Sequence, residues 1–330
     1  MSGSGRSASH LTASSESAEL ARFAADIQYY LTQNPRQLPS RYLYDALGSA
    51  LFEAICRLPW YRITRAEQRL LTTHGGDVLR RVRPATIVEL GSGSGEKLRI
   101  LLDGRDVAVE PIDVHLVDVS SSALEASARA LQLFDTVRVS RHQAPYEDGL
   151  RAVGRTRGVD DRLLVLFLGS NIGNYDPPGA NAFLLGVRAQ LRTGDALLLG
   201  ADLVKPEREL LLAYDDPLGV TAAFNRNLLV RINRELNGDF DVNEFTHQAV
   251  WNAAESRIEM HLVARSAQDV HVRAAQIAFT MRAGDRMWTE SSYKYRPEEI
   301  VCRLECAGFR LIAQWLDRAD QFALTLVEAV

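Results

Sequence analysis

The sequence predicts an α/β protein, a doubly wound parallel sheet with a second, smaller α+β domain. Three observations predict it. Short apolar, β-branched runs alternate with helical stretches from Thr86 to Leu199, the first run ends in a glycine-rich turn, and the alternation breaks near Lys205 into helices and antiparallel strands. The 330 residues are 46% apolar and 24% charged, which suits an ordinary globular chain of about two domains.

Residues 1–17, rich in Ser and Gly, are expected to be a disordered tail. Residues 18–33 place Leu20, Phe23, Ile27 and Leu31 at helical spacing before Asn34-Pro35 stops the run. A second helix is expected over 44–58 and a third from Thr64, where Thr64 to Glu67 has the Thr-x-x-Glu capping pattern. Strands are expected over 86–90, 114–118, 137–140, 163–168 and 196–199, with helices over 96–102, 121–133 and 179–191. Beyond Lys205 the pattern predicts helices over 207–214 and 220–236 and strands over 256–265 and 269–280. A helix over 298–307 and a strand over 322–327 return to the sheet.

The charge balance, 38 basic against 42 acidic residues or −4, supplies no positive field for nucleic acid or an anionic membrane. No apolar run reaches the length of a membrane helix, and the expected location is the cytoplasm. Cys56, Cys302 and Cys306 read as buried structural thiols, and no metal-ligand set is evident.

Gly91-Ser-Gly93-Ser-Gly95 follows the first sheet strand, where the backbone must turn sharply and lie against a ligand. The dinucleotide fingerprint wants glycine at its sixth position, and Glu96 stands there, a poor neighbour for a diphosphate. Asp118, at the end of the second sheet strand, can accept the two hydroxyls of a ribose; otherwise it is a solvated acid. Lys97 reads as a partner for a ligand carboxylate or as a surface lysine. A ribose, no diphosphate and a carboxylate together describe S-adenosylmethionine. A nicotinamide cofactor explains the loop and Asp118 only.

The chain from about Leu38 to Val330 resembles the histidine-specific Nα-methyltransferase family of ergothioneine biosynthesis. The resemblance is carried by residues 39–52 (Pro-Ser-Arg-Tyr-Leu-Tyr-Asp-Ala-Leu-Gly-Ser-Ala-Leu-Phe), Thr64-Arg-Ala-Glu67 and residues 88–97. It continues in residues 167–174, Tyr214-Asp-Asp216, Thr221-Ala-Ala-Phe-Asn225 and residues 289–295. It implies a Rossmann-like class I methyltransferase domain (71–204 and 287–330) and a substrate-binding domain (18–70 and 205–286) that together line one cleft. It also implies a monomer that methylates the α-amino group of L-histidine three times, giving hercynine.

By the same resemblance the donor is held by Tyr61, Gly91, Lys97, Asp118 and Gly169. Tyr44, Asn174 and Tyr214 hold the amino and carboxylate groups of histidine, with Tyr44 and Asn174 nearest the reacting nitrogen; Glu290 and Ser292 hold its imidazole, and Met260 lines that pocket. The chain departs from the family pattern at Trp60, Arg62 and Asn171, and reads Ala144-Pro-Tyr-Glu-Asp148 where the family has Asp-Phe near the adenine.

The residues themselves also admit other readings. Glu290 can be a salt-bridge partner of Lys294 at i, i+4, Tyr214 a core tyrosine ending a helix, Met260 ordinary packing, and Asn174 the left-handed asparagine of a Gly-Asn turn. Rival functions are N-methylation of another aromatic amino acid such as tryptophan, and a non-catalytic S-adenosylmethionine-binding module.

Overall fold

A computed structural model describes residues 5–105, 111–158 and 161–330, with side chains from residue 17 onward. In chain order, α1 (Gly5–Leu31) and β1 (Arg36–Gln37) lead to α2 (Ala46–Arg57) and α3 (Ile63–Val82). Strand and helix then alternate: β2 (Thr86–Leu90), α4 (Glu96–Asp103), β3 (Ile112–Asp118), α5 (Ser121–Leu131), β4 (Val137–Gln143), α6 (Tyr146–Thr156), β5 (Leu163–Phe167), α7 (Pro177–Gln190) and β6 (Ala196–Asp202). Helices α8 (Glu207–Tyr214) and α9 (Val220–Leu236) precede β7 (Phe245–Asn252), β8 (Arg257–Ala264), β9 (Gln268–Val272), β10 (Ile277–Met281) and β11 (Arg286–Tyr293). Then come α10 (Pro297–Cys306), β12 (Phe309–Asp317) and β13 (Phe322–Ala329).

These elements form two compact units. One comprises the chain up to Ile55 with Tyr214–Val250 and Glu259–Glu290; the other comprises Cys56–Ala213, Trp251–Ile258 and Ser291–Val330. The first crossover falls at Ile55 rather than at the expected residue 70, because α3 packs against α4 and the β12–β13 hairpin. Residues 251–258 also join the unit that holds the large sheet.

Among the described residues the large sheet has the order β12-β13-β6-β5-β2-β3-β4. Strands β2 to β6 run parallel, and β13 lies antiparallel to β6 and to β12. The order reverses between β2 and β5, the switch point where an open α/β sheet receives its ligand beyond the carboxyl ends of its strands. Every residue of β2, β5 and β6 is buried, as parallel strands covered on both faces require, whereas edge strand β4 alternates. Asp176 caps α7 through the Gly179 N–H (2.8 Å), and Ser120 caps α5. Phe167 and Phe183 meet at 4.4 Å in the core beneath β5.

The other unit has a sheet of order β1-β11-β8-β7 and a β9–β10 hairpin. Helix α9 buries Phe224, Leu228, Leu229, Ile232 and Leu236, one face at i, i+4 and i+8 spacing. Residues 269–280, expected as one strand, are this hairpin: a 3₁₀ turn at Arg273–Ala275 and Gln276 at φ +53° reverse the chain. Strands β7, β11 and β12 were not legible as strands in the sequence.

Three further expectations are corrected. Helix α1 begins at Gly5, inside the segment expected as a tail, since neither Gly nor Pro interrupts the chain from there to Leu31. Helix α3 starts at Ile63 with Arg62 at its N-cap and no side-chain cap, so Glu67 is not a capping-box acid. Cys302 and Cys306 are exposed and Cys56 half-buried: Ile300 and Leu304 take the inward face of α10, which turns both of its cysteines outward. No helix among the described residues is long and apolar enough to cross a membrane.

Candidate active site

In the large-sheet unit the glycine turn leaves β2 with Gly91 at φ +82°, Gly93 at +50° and Gly95 at +75°. A Cβ on Gly91 would stand 2.9 Å from Tyr146 Oη, and one on Gly95 2.7 Å from Ser127 Cα. Gly95 is therefore required by the Ser127 backbone as well as by its φ, and Gly91 by its φ. Nothing lies within 4 Å of the corresponding point on Gly93, so the loop has open space at its crest. The Ser127 hydroxyl donates to the carbonyls of Ser92 and Gly93 (3.0 Å each), and the Gly91 N–H bonds to Val117 O (2.8 Å), fastening the loop to α5 and β3.

Asp118 ends β3 and accepts the Ser120 N–H at 2.9 Å. Burial pushes its carboxyl above the ordinary range, opposed by backbone N–H groups of Ser120, Gly93 and Ser92, which sets the carboxylate beside the glycine turn. Two residues before Gly91, Glu89 is 2% exposed, and burial raises its carboxyl to about 8. Its Oε2 has no hydrogen-bond partner among the described residues, nor has Ser92 Oγ. Such atoms ask for a ligand group.

Lys97, in the first turn of α4, meets a carboxylate already present: its Nζ lies 2.6 Å from Glu67 Oε2. Both Glu67 oxygens also accept the Gly169 N–H at 2.9 Å. Gly169 follows β5 at φ +78°, and a Cβ there would reach to 2.8 Å from Lys97 Nζ. The surface reading of Lys97 is thereby set aside. The same unit holds Tyr61, which is buried, and Asn174, which is exposed at the end of a 3₁₀ turn (Asn171–Asn174). Asn174 is not the left-handed residue of that turn; Ser170 is, at φ +60°, and its Oγ accepts the Asp202 N–H at 2.9 Å.

Ser292 is buried in this unit and accepts a hydrogen bond from Lys294 Nζ at 2.8 Å. Lys294 is 2% exposed and pairs with Asp202 at 3.1 Å. The expected alternative for Glu290, an i, i+4 pair with Lys294, presumed a helix. Glu290 stands instead on strand β11, and Lys294 follows that strand's last residue, Tyr293.

In the other unit Tyr44 caps the 3₁₀ turn Ser40–Leu43, and its ring meets Phe52 and Phe224 edge-on at 5.4 and 5.5 Å. Tyr214 ends α8 and is buried; its carbonyl accepts from His247 Nε2 at 2.7 Å. That bond puts the proton on Nε2, so Nδ1 accepts from Asn225 Nδ2 at 2.9 Å, and burial holds the ring below its usual pKa and neutral. Met260 is buried on β8, its carbonyl accepting the Thr289 hydroxyl at 3.0 Å. Glu290 on β11 is partly exposed, and its carbonyl accepts Trp288 Nε1–H at 2.9 Å.

The structure thus brings Gly91, Lys97, Asp118 and Gly169 together at the carboxyl ends of β2, β3 and β5. Sequence reading missed Glu67, Glu89 and the Asn225–His247 pair. An acid inside the apolar strand Thr86–Leu90 was the available signal for Glu89.

A turn whose three glycines all stand at positive φ, an adjacent strand-end acid at Asp118 and orphaned polar atoms behind the loop fit a nucleoside-bearing donor, and with the sheet order they define the S-adenosylmethionine-dependent methyltransferase class. Residues 23–329 match the family described as "Histidine-specific methyltransferase, SAM-dependent". The chain belongs to that family. It is 43% identical to the "Histidine N-alpha-methyltransferase" of Mycobacterium tuberculosis over 91% of this chain and 93% of that one. It is 42% identical to the protein of the same name from Mycolicibacterium smegmatis, over 97% and 98% of the two chains. "Ergothioneine biosynthesis protein 1" of Neurospora crassa is 29% identical, across 85% of this chain and 32% of that protein.

Proposed function

We propose that this protein transfers methyl groups from S-adenosylmethionine to the α-amino nitrogen of L-histidine, three times, giving hercynine for ergothioneine biosynthesis. The observation that supports the reading best is the likeness to two histidine N-alpha-methyltransferases along nearly the whole of all three chains. It acts as a cytoplasmic monomer on small molecules, with no nucleic acid or membrane partner.

Bound S-adenosylmethionine supplies an electrophilic methyl carbon. Asp118 takes the ribose hydroxyls, Lys97 the donor carboxylate, and the backbone of Gly91 and Gly169 the rest of its amino-acid end, with Tyr61 closing over it. Tyr44 and Asn174 would hold the amine of histidine, Tyr214 its carboxylate, and Glu290, Ser292 and Met260 its imidazole. Orientation carries most of the rate. The positive charge passes from sulfonium to nitrogen, so fixed phenol and amide oxygens stabilise it without reorganising. A phenol of pKa about 10 is no base for this amine, and each released proton goes to water. The trimethylated nitrogen has no lone pair, which ends the series.

The test is to incubate the protein with donor and histidine and weigh the product. A gain of three methylene units on histidine supports the reading. Methylation of tryptophan in preference to histidine, or donor binding with no transfer at all, overturns it.

A further inference from the structure

We propose that Glu67 is a positioning residue for the methyl donor: its buried carboxylate holds the Lys97 ammonium and the Gly169 peptide N–H in one fixed arrangement. The inference rests on the proposed placement of Lys97 and Gly169 at the donor, a scheme that gives Glu67 no part.

The Glu67 side chain is wholly excluded from solvent. An ionised carboxylate in that position costs several kcal/mol unless it is both paired and hydrogen-bonded. Here both oxygens are used, at 2.9 Å to the Gly169 N–H and at 2.6 Å to Lys97 Nζ. Two glycines clear its surroundings. A Cβ on Gly200 would fall 1.9 Å from Glu67 Oε1, and one on Gly169 2.8 Å from Lys97 Nζ. Gly200 sits within β6, where glycine ordinarily weakens a strand and marks a close approach, and the group approaching is this carboxylate.

The three groups come from three elements: α3, the first turn of α4, and the turn after β5. The glycine turn runs directly into α4, and β5 adjoins β2 in the sheet, so Glu67 ties together the two turns that flank the switch point. A lysine stem has four rotatable bonds, and an unheld ammonium would have to be ordered by the donor itself. Burial alone would lower the Lys97 pKa; the adjacent Glu67 carboxylate more than offsets it, and the ammonium is held above its usual range. Glu67 therefore presents a pre-oriented, permanently charged donor group without touching the methyl donor.

The experiment is calorimetric titration with S-adenosylmethionine across pH for the parent protein, E67Q, K97M and the double variant, each checked by thermal melt. E67Q keeps an acceptor for the Gly169 N–H and removes the charge. It should weaken donor affinity about tenfold or more and move the alkaline loss of affinity to lower pH, because Lys97 then surrenders its proton sooner. A role in stability alone would lower the melting temperature and leave that limb in place. In the K97M background the same change should have no further effect on affinity, since the two side chains act as one. In the parent, the Lys97 Nζ resonance should titrate above the ordinary lysine range, a readout that needs no variant.

Unchanged affinity and an unmoved alkaline limb in E67Q, with K97M weakened, overturn the inference. A Lys97 ammonium titrating below the ordinary range does the same. If K97M itself binds the donor normally, the placement of Lys97 is what fails, and the inference falls with it.

Discussion

In the large-sheet unit the candidate residues are a carboxylate, a lysine and glycine backbone, with Tyr61, Asn174 and Ser292; in the other unit they are two tyrosines, a thioether and a single partly exposed acid. The charged groups of the first unit are already paired: Glu67 with the half-buried Lys97, Asp118 with the Ser120 N–H, Lys294 with Asp202. The second leans on neutral groups, with Tyr44 against two phenylalanines and Tyr214 held through its carbonyl by a neutral histidine. The difference follows the chemistry assigned to each. A charged donor with a ribose needs fixed charges that do not reorganise, whereas an amine that must stay unprotonated is better served by neutral groups such as the phenols of Tyr44 and Tyr214.

The division of labour can be broken most sharply at Asp118. Replacing it with Ala should abolish calorimetrically detectable donor binding while the fold persists, since a carboxyl pushed up by burial does not stabilise the chain by being charged. Unchanged donor affinity would remove the ribose assignment.

Next in size, Glu290→Ala should leave donor affinity intact and raise the histidine requirement. One lost charged hydrogen bond costs about 2 to 3 kcal/mol, an effect on the order of 30-fold to 150-fold. Steady-state kinetics at saturating donor checks it, and a variant that methylates histidine normally moves the imidazole contact elsewhere.

A smaller effect sharpens the electrostatic side. The carboxyl of Glu89 is raised by burial from an ordinary 4.5 to about 8. Below the lower value it is neutral in both folded and unfolded chains and does not affect stability. Between the two values the unfolded chain ionises first, so stability falls as pH rises. E89Q should therefore melt higher than the parent near the upper value and match it near the lower one. An equal melting difference at both ends would show that Glu89 is not held neutral.

Much of this was legible in the residues. The alternation of β-branched runs and helices placed β2, β3, β5 and β6 to within a few residues; β2, β5 and β6, buried on both faces, are nearly continuous apolar runs, and β3 alternates. Strands β7, β11 and β12 were not, since half-exposed antiparallel strands with interleaved Arg, Glu and Gln give no such run. Gly91 and Asp118 could be read because one chain segment carries both the turn and the strand end. Glu67 could not: Thr-x-x-Glu satisfies a local rule for helix starts, while its partners Lys97 and Gly169 lie 30 and 102 residues away. Its Gly200 neighbour gave no sign either, a lone glycine in an apolar strand being open to several explanations. The alternative reading of Asn174, a left-handed turn residue, came from the preference of Gly-Asn pairs for that conformation, and the left-handed position belongs to Ser170.

The most direct measurement follows an isotope-labelled methyl group from S-adenosylmethionine into histidine by nuclear magnetic resonance. The account predicts one resonance for equivalent methyl groups on the α-nitrogen, reached through the mono- and dimethylated stages, with the imidazole ring unlabelled. Label on a ring nitrogen, or histidine recovered without label while the donor is bound, would contradict it.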